Sequence, residues 1–263
     1  MLPVVLTGLP VVVALLLQVH GPSGDELPRI FMRWVHFVAG IAWIGLLYFF
    51  NLVNVNFMKA LDGPTKGKVV PELMPRALWW FRWGAVVTVL MGLGYYVMYI
   101  LRPDAQNAKV PMGGVFIQWL GWSLLAWGII YGFLMLVPGR IDKGWFIAVA
   151  VVLVVLIMSF LMIKTFTIPT PTGMHFTNKS ASIGIGGGIG LIMMLNVWGI
   201  IWPHQKRIIA WTKANAQDGT PIPPESAQLA RRAFMASRTN FWLSLPMLFF
   251  MATSHGDYIW FRP

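Results

Sequence analysis

The 263-residue chain is 57% apolar and 11% charged, with a net charge of +11 and no cysteine. Soluble domains carry roughly 25% charged residues, so this composition predicts an integral membrane protein with no separate soluble domain. The missing cysteines exclude disulfides, thiolate metal sites, cysteine-held iron–sulfur clusters and covalent c-type haem, and the basic balance calls for lipid-facing loops rather than nucleic acid.

At ~20 apolar residues per span, the reading is an all-α polytopic membrane helix bundle. It has about seven transmembrane helices and forms a single domain over 1–263. The first span runs from about Leu2 to Val19. No positive charge precedes it and no A-x-A-like site follows, so it reads as a retained helix rather than a signal peptide. His20 falls in the first outer loop, where it is expected to be solvated. The second span, about Ile30 to Phe57, carries Arg33, Trp34, His36 and Gly40 near its start. Histidine is rare at membrane depth and usually functional there. Gly40, four residues on, lies on the same helical face and leaves room for a planar porphyrin or a close neighbour helix. Asn51, Asn54 and Asn56 make the far end polar and available for bonds between helices or to a partner subunit.

The third span, about Trp79 to Leu101, follows a basic loop. The fourth covers about Gly114 to Val137 and the fifth about Trp145 to Ile163. The outer loop that follows, Pro169 to Asn178, holds Met174 and His175 among prolines and a glycine, so it is expected to be irregular and able to fold over a site. The sixth span, about Ser180 to Trp202, contains Gly184, Gly186, Gly187, Gly188 and Gly190. Its two G-x-x-x-G pairs permit close helix approach or a flat macrocycle against the backbone. His204 follows at its inner end. A long loop, 203–239, then leads through a turn at 218–224 to a helix starting near Glu225. That helix runs into the last span, about Asn240 to Ser254, which is followed by His255 and Asp257. Tryptophans near span ends, Trp119 among them, are expected to anchor the interface.

Loop charge sets orientation. Loops two–three, four–five and six–seven hold 13 of the 20 basic residues and the opposite side holds 7. The positive-inside rule then places the amino terminus inside and the carboxyl terminus outside. His36, His175 and His255 fall near the outer face, and His204 near the inner face. Histidine is suited to hold a haem iron or a transition metal. His36 and His255 are the preferred axial ligands of a b-type haem, with His175 the alternative to either. Arg33 can pair with a propionate or a small anion, Gly40, Gly184, Gly187 and Gly188 can face the ring, and Asp257 can orient His255. A second haem would need His204. Catalytic residues are not identifiable. No carboxylate pair lies within the spans, so an acidic ion pathway is not expected, and no P-loop, dinucleotide fingerprint or Ser-His-Asp arrangement is present.

The runs Arg33-Trp34-Val35-His36 to Trp43-Ile44-Gly45 and Val69-Val70-Pro71-Glu72-Leu73-Met74-Pro75-Arg76-Ala77-Leu78-Trp79-Trp80-Phe81-Arg82-Trp83-Gly84 resemble the membrane domain of the cytochrome-c-linked urate oxidases. Ala236-Ser237-Arg238-Thr239-Asn240 and Leu245 to Met251 are similar to its closing part, and the likeness extends from about Pro28 to His255. In that family a cytochrome c domain follows, urate oxidation is assigned to the whole protein, and electrons pass to the respiratory chain. With no cysteine here, the resemblance implies a shorter relative that exchanges electrons with a separate subunit. The expected function is a redox subunit of the bacterial inner (cytoplasmic) membrane. It would hold haem b near the periplasmic face, one haem or two, and serve a periplasmic cytochrome c or another respiratory-complex subunit. The alternatives are direct oxidation of urate or a related small anion, copper or zinc held by the three outer histidines, and a cofactor-free structural subunit.

Overall fold

The computed structural model describes residues 23–136, 144–167, 169–170, 173–174 and 176–254. The first predicted span, His20, Arg140, Lys143, His175, His255 and Asp257 lie outside them. Six long helices account for most of the described chain: α1 Glu26–Ala60, α2 Gly63–Asn107, α3 Met112–Met135, α4 Gly144–Phe166, α5 Asn178–Asp218 and α6 Glu225–Ala252. The first five are long and apolar enough to cross a membrane. A minimal antiparallel pair, β1 Pro169–Thr170 with β2 Gly173–Met174, orders part of the loop expected to be irregular.

The helix starts follow local chemistry. The Glu26 carboxylate reaches back to the Ser23 N–H at 2.9 Å, as in a capping box. Asp62 accepts the Thr65 N–H at 2.8 Å, with Pro64 in the first turn. Thr177 caps α5, and Gly219 ends it in a left-handed conformation at φ 69°.

Two helices run further than the sequence reading allows. The stretch assigned to the loop before the third span is helical from Gly63 despite Pro71 and Pro75. The first part of the 203–239 loop is helical as far as Asp218, while the turn at 218–224 and the helix starting at Glu225 fall where expected. The extensions support one another: a Cβ on Gly67 would lie 3.0 Å from the Cβ of Ala216. At two prolines a wider π turn makes room for the ring. Segments Val97–Leu101 and Val197–Ile201 directly precede Pro103 and Pro203, whose rings would otherwise collide with the carbonyl four residues back. A third π segment, Phe49–Asn54, lies in α1 and buries Asn51 and Asn54.

Helix direction alternates, so the starts of α1, α3 and α5 share one end with the finishes of α2, α4 and α6. The central element is α5: 67% of its apolar window is buried, against 28% for each of α1 to α4. Three glycines explain its position. A Cβ on Gly184 would lie 2.6 Å from the Phe166 ring of α4 and 2.9 Å from the Tyr96 hydroxyl of α2. One on Gly186 would lie 3.2 Å from the Met247 carbonyl of α6, and one on Gly188 2.6 Å from Met162 of α4. Small residues here let three neighbours approach one backbone.

Three buried or part-buried asparagine contacts tie helices together. Asn51 donates to Ser237 Oγ at 2.9 Å, Asn196 to Asn240 Oδ1 at 2.9 Å, and Asn240 to the Met193 carbonyl at 2.9 Å. Trp119, read as an interface anchor, is instead 2% exposed and donates to the Gly184 carbonyl at 2.7 Å. The outside is the apolar surface, with Ile41, Val152, Leu156 and Ile157 all exposed.

Candidate functional site

A cavity of about 610 Å³ opens between α1, α2, α5 and α6 at the end where α1 and α5 begin. This volume lies within the ~300–1,000 Å³ range of small-molecule and cofactor sites. His36 lines it, together with Arg33 and Lys179, which are its only charged lining residues; no carboxylate lines it among the described residues. Arg33 and Lys179 lie toward the helix starts, and Trp43, Tyr48 and Leu191 lie deeper along the same helices.

His36 is fixed by α2. Its Nδ1 lies 2.8 Å from the Thr88 carbonyl oxygen. A carbonyl only accepts, so Nδ1 carries the proton in this bond and the neutral ring keeps its lone pair on Nε2. That is the hydrogen-bonding pattern of metal-ligating histidines, whose second nitrogen donates to a carbonyl or carboxylate. The ring lies against Gly92, where a Cβ would meet His36 Cε1 and Nδ1 at 2.7 Å. Neither Gly92 nor Thr88 was marked out by the sequence; Met91-Gly92-Leu93-Gly94 reads as ordinary span, and only the partner helix reveals its purpose.

The glycine walls divide in an unexpected way. Gly40, Gly45, Gly187 and Gly190 line the cavity, and a Cβ on Gly45 or Gly190 would meet nothing within 4 Å. Gly184 and Gly188, expected against a cofactor, point into the packing against α2, α3 and α4 instead. The cause is helical rotation: glycines one and two residues apart face different neighbours.

The start of α5 ties the mouth of the cavity together. Asp104, at the end of α2 and 7% exposed, accepts from the Thr177 N–H at 3.0 Å, Thr177 Oγ1 at 2.7 Å and Ser180 Oγ at 2.6 Å. The Tyr96 hydroxyl donates to the Ser180 carbonyl at 3.1 Å. Asn178 donates to the Thr253 carbonyl at 2.9 Å, which joins α5 to the finish of α6. Lys179 lies within this clamp, and Ser254, the residue before His255, also lines the cavity.

His204 is on α5 near the opposite end, its Nδ1 bonded to the Ile200 carbonyl one turn back, far along the helix from His36. No group of three histidine, aspartate or glutamate side chains comes together among the described residues.

The sequence profile of the urate oxidase N-terminal domain matches residues 63–262. It spans α2 to α6 and begins after α1, the helix that carries Arg33, His36 and Gly40. No curated protein sequence and no solved structure is measurably similar to the chain.

Proposed function

The chain belongs to the urate oxidase N-terminal family, and from that premise we propose that it is a membrane redox subunit that binds b-type haem in the His36 cavity. Five apolar helices with an apolar exterior support the membrane setting. The observation that carries the haem reading is His36 itself: an imidazole oriented by a main-chain carbonyl at 2.8 Å, beside an apolar cavity with glycine walls.

These residues fit the group. Nε2 of His36 would hold the iron, while Thr88 keeps the ring's tautomer and angle. Gly40, Gly187 and Gly190 leave the wall flat, and Arg33 and Lys179 would pair with the two propionates through charge-assisted hydrogen bonds. Ser254 in the lining supports His255, the next residue in sequence, as a second residue that would hold the group. Bound there, haem supplies one-electron chemistry at its iron. The chain's own residues orient it, exclude water with an apolar lining and balance its negative charge. With the amino terminus cytoplasmic, the cavity lies toward the periplasmic face of a bacterial inner membrane, within reach of a cytochrome c or a partner respiratory subunit.

A second reading draws on the same two cations: a small anion such as urate enters the mouth and is oxidised directly. His36 as the one histidine holding the group would favour this reading, and a second histidine would favour electron transfer.

The deciding experiment is a reduced-minus-oxidised spectrum and pyridine haemochrome of the detergent-purified chain and of His36→Ala. A b-type signal lost in the variant is expected. A full haem complement with an unchanged spectrum in His36→Ala refutes the ligand assignment. A colourless wild type moves the function to a structural subunit or to copper or zinc, which metal analysis separates.

A further inference from the structure

We propose that the junction of α2 and α5 around Arg82, at the end opposite the His36 cavity, binds the phosphate of an anionic membrane lipid. The inference rests on the membrane reading but not on haem. The Arg82 guanidinium carbon stands 3.7 Å from the Trp202 ring centroid and 5.8 Å from that of Trp198. The Trp198 indole N–H donates to the Arg82 carbonyl at 3.3 Å, so both sides of the junction are locked.

Arg82 Nε is buried with no hydrogen-bond partner. Among the described residues the ion pairs are Arg76–Glu72 and Arg207–Glu225, and neither includes Arg82. A half-buried cation at the edge of an apolar span is costly without a counter-charge, and two indole faces offset only part of that cost. The planar guanidinium presents several donors in a fork that matches a phosphate.

The surroundings select a lipid phosphate over a soluble one. Trp79, Trp80 and Trp83 are exposed on the same stretch of α2, and Trp83 meets Trp198 edge-on at 5.4 Å. Exposed indoles mark the headgroup level of a bilayer. This end also carries the basic excess of the sequence, and basic pockets between spans on that side suit anionic headgroups.

The test uses the full chain in uncharged detergent. Binding is read by native mass spectrometry and by thermal midpoint with added phosphatidylglycerol, phosphatidylcholine or inorganic phosphate. Arg82→Gln is expected to bind phosphatidylglycerol about fivefold more weakly than wild type, Arg82→Lys to fall between them, and Lys206→Gln, an exposed charge at the same end, to match wild type. Equal phosphatidylglycerol binding by wild type and a folded Arg82→Gln overturns the proposal. So does competition by inorganic phosphate at equal concentration, equal binding of phosphatidylcholine, or an equal loss in Lys206→Gln. If Arg82→Gln does not fold, Arg82→Lys decides: unchanged binding overturns the proposal. Failure of the membrane reading would look different, as a chain that remains in solution without detergent.

Discussion

At the scale of single residues, His36 depends on a glycine that belongs to another helix. A Cβ at position 92 would overlap the imidazole at 2.7 Å, and the ring cannot yield without leaving the Thr88 carbonyl. If the cavity holds haem as proposed, Gly92→Ala is expected to leave the helical circular dichroism intact and weaken haem retention by roughly 10–100-fold, the usual cost of disturbing a ligand's supporting contact. Wild-type haem content in that variant would remove the positioning argument. The histidine was legible from the sequence because buried imidazoles in apolar spans are few. Its partner was not, since a carbonyl oxygen has no sequence signature and a span glycine has many uses.

At the scale of elements, the glycines of α5 separate packing from binding. Gly184→Ala forces a methyl into the Phe166 ring and the Tyr96 hydroxyl, an overpacking expected to cost about 1–3 kcal/mol and visible as a lowered thermal midpoint. Gly190→Ala meets nothing within 4 Å, so its midpoint should hold while the new methyl protrudes into the cavity and reduces haem occupancy. The reverse pattern in the two variants would show that the cavity wall lies elsewhere. The join of α2 to α5 has its own test. Asp104→Ala strands the donors of Thr177 and Ser180, at about 1–3 kcal/mol for each unsatisfied group. The expected readouts are a lower midpoint and a shifted haem spectrum, because Lys179 lies within the same turn. An unaltered midpoint would mean that water replaces the carboxylate. The sequence exposed the glycine spacing but not which glycine faces which neighbour.

For the whole molecule, the absence of cysteine offers a clean test of orientation. Gly113, at the start of α3, and Gln217, near the end of α5, are both exposed and lie at opposite ends of the bundle. With a cytoplasmic amino terminus, an impermeant maleimide applied to intact spheroplasts should label Gly113→Cys and spare Gln217→Cys. The opposite labelling would invert the orientation and put the His36 cavity toward the cytoplasm, out of reach of a periplasmic cytochrome c.

Composition and hydropathy alone determined that this chain is largely apolar helix and where the second to sixth spans are centred, because the burial of ~20 apolar residues is a local property of a segment. Helix ends were less legible. The stretches before the third span and after the sixth read as loops, whereas α2 is already helical from Gly63 through Pro71 and Pro75 and α5 runs on to Asp218, the two extensions packing at Gly67 and Ala216. The cavity is wholly a tertiary outcome. Arg33, His36, Gly92, Lys179, Gly190 and Ser254 come from four parts of the chain. What brings them to one volume is the rotation of each helix about its axis, which depends on the neighbours that its small residues admit.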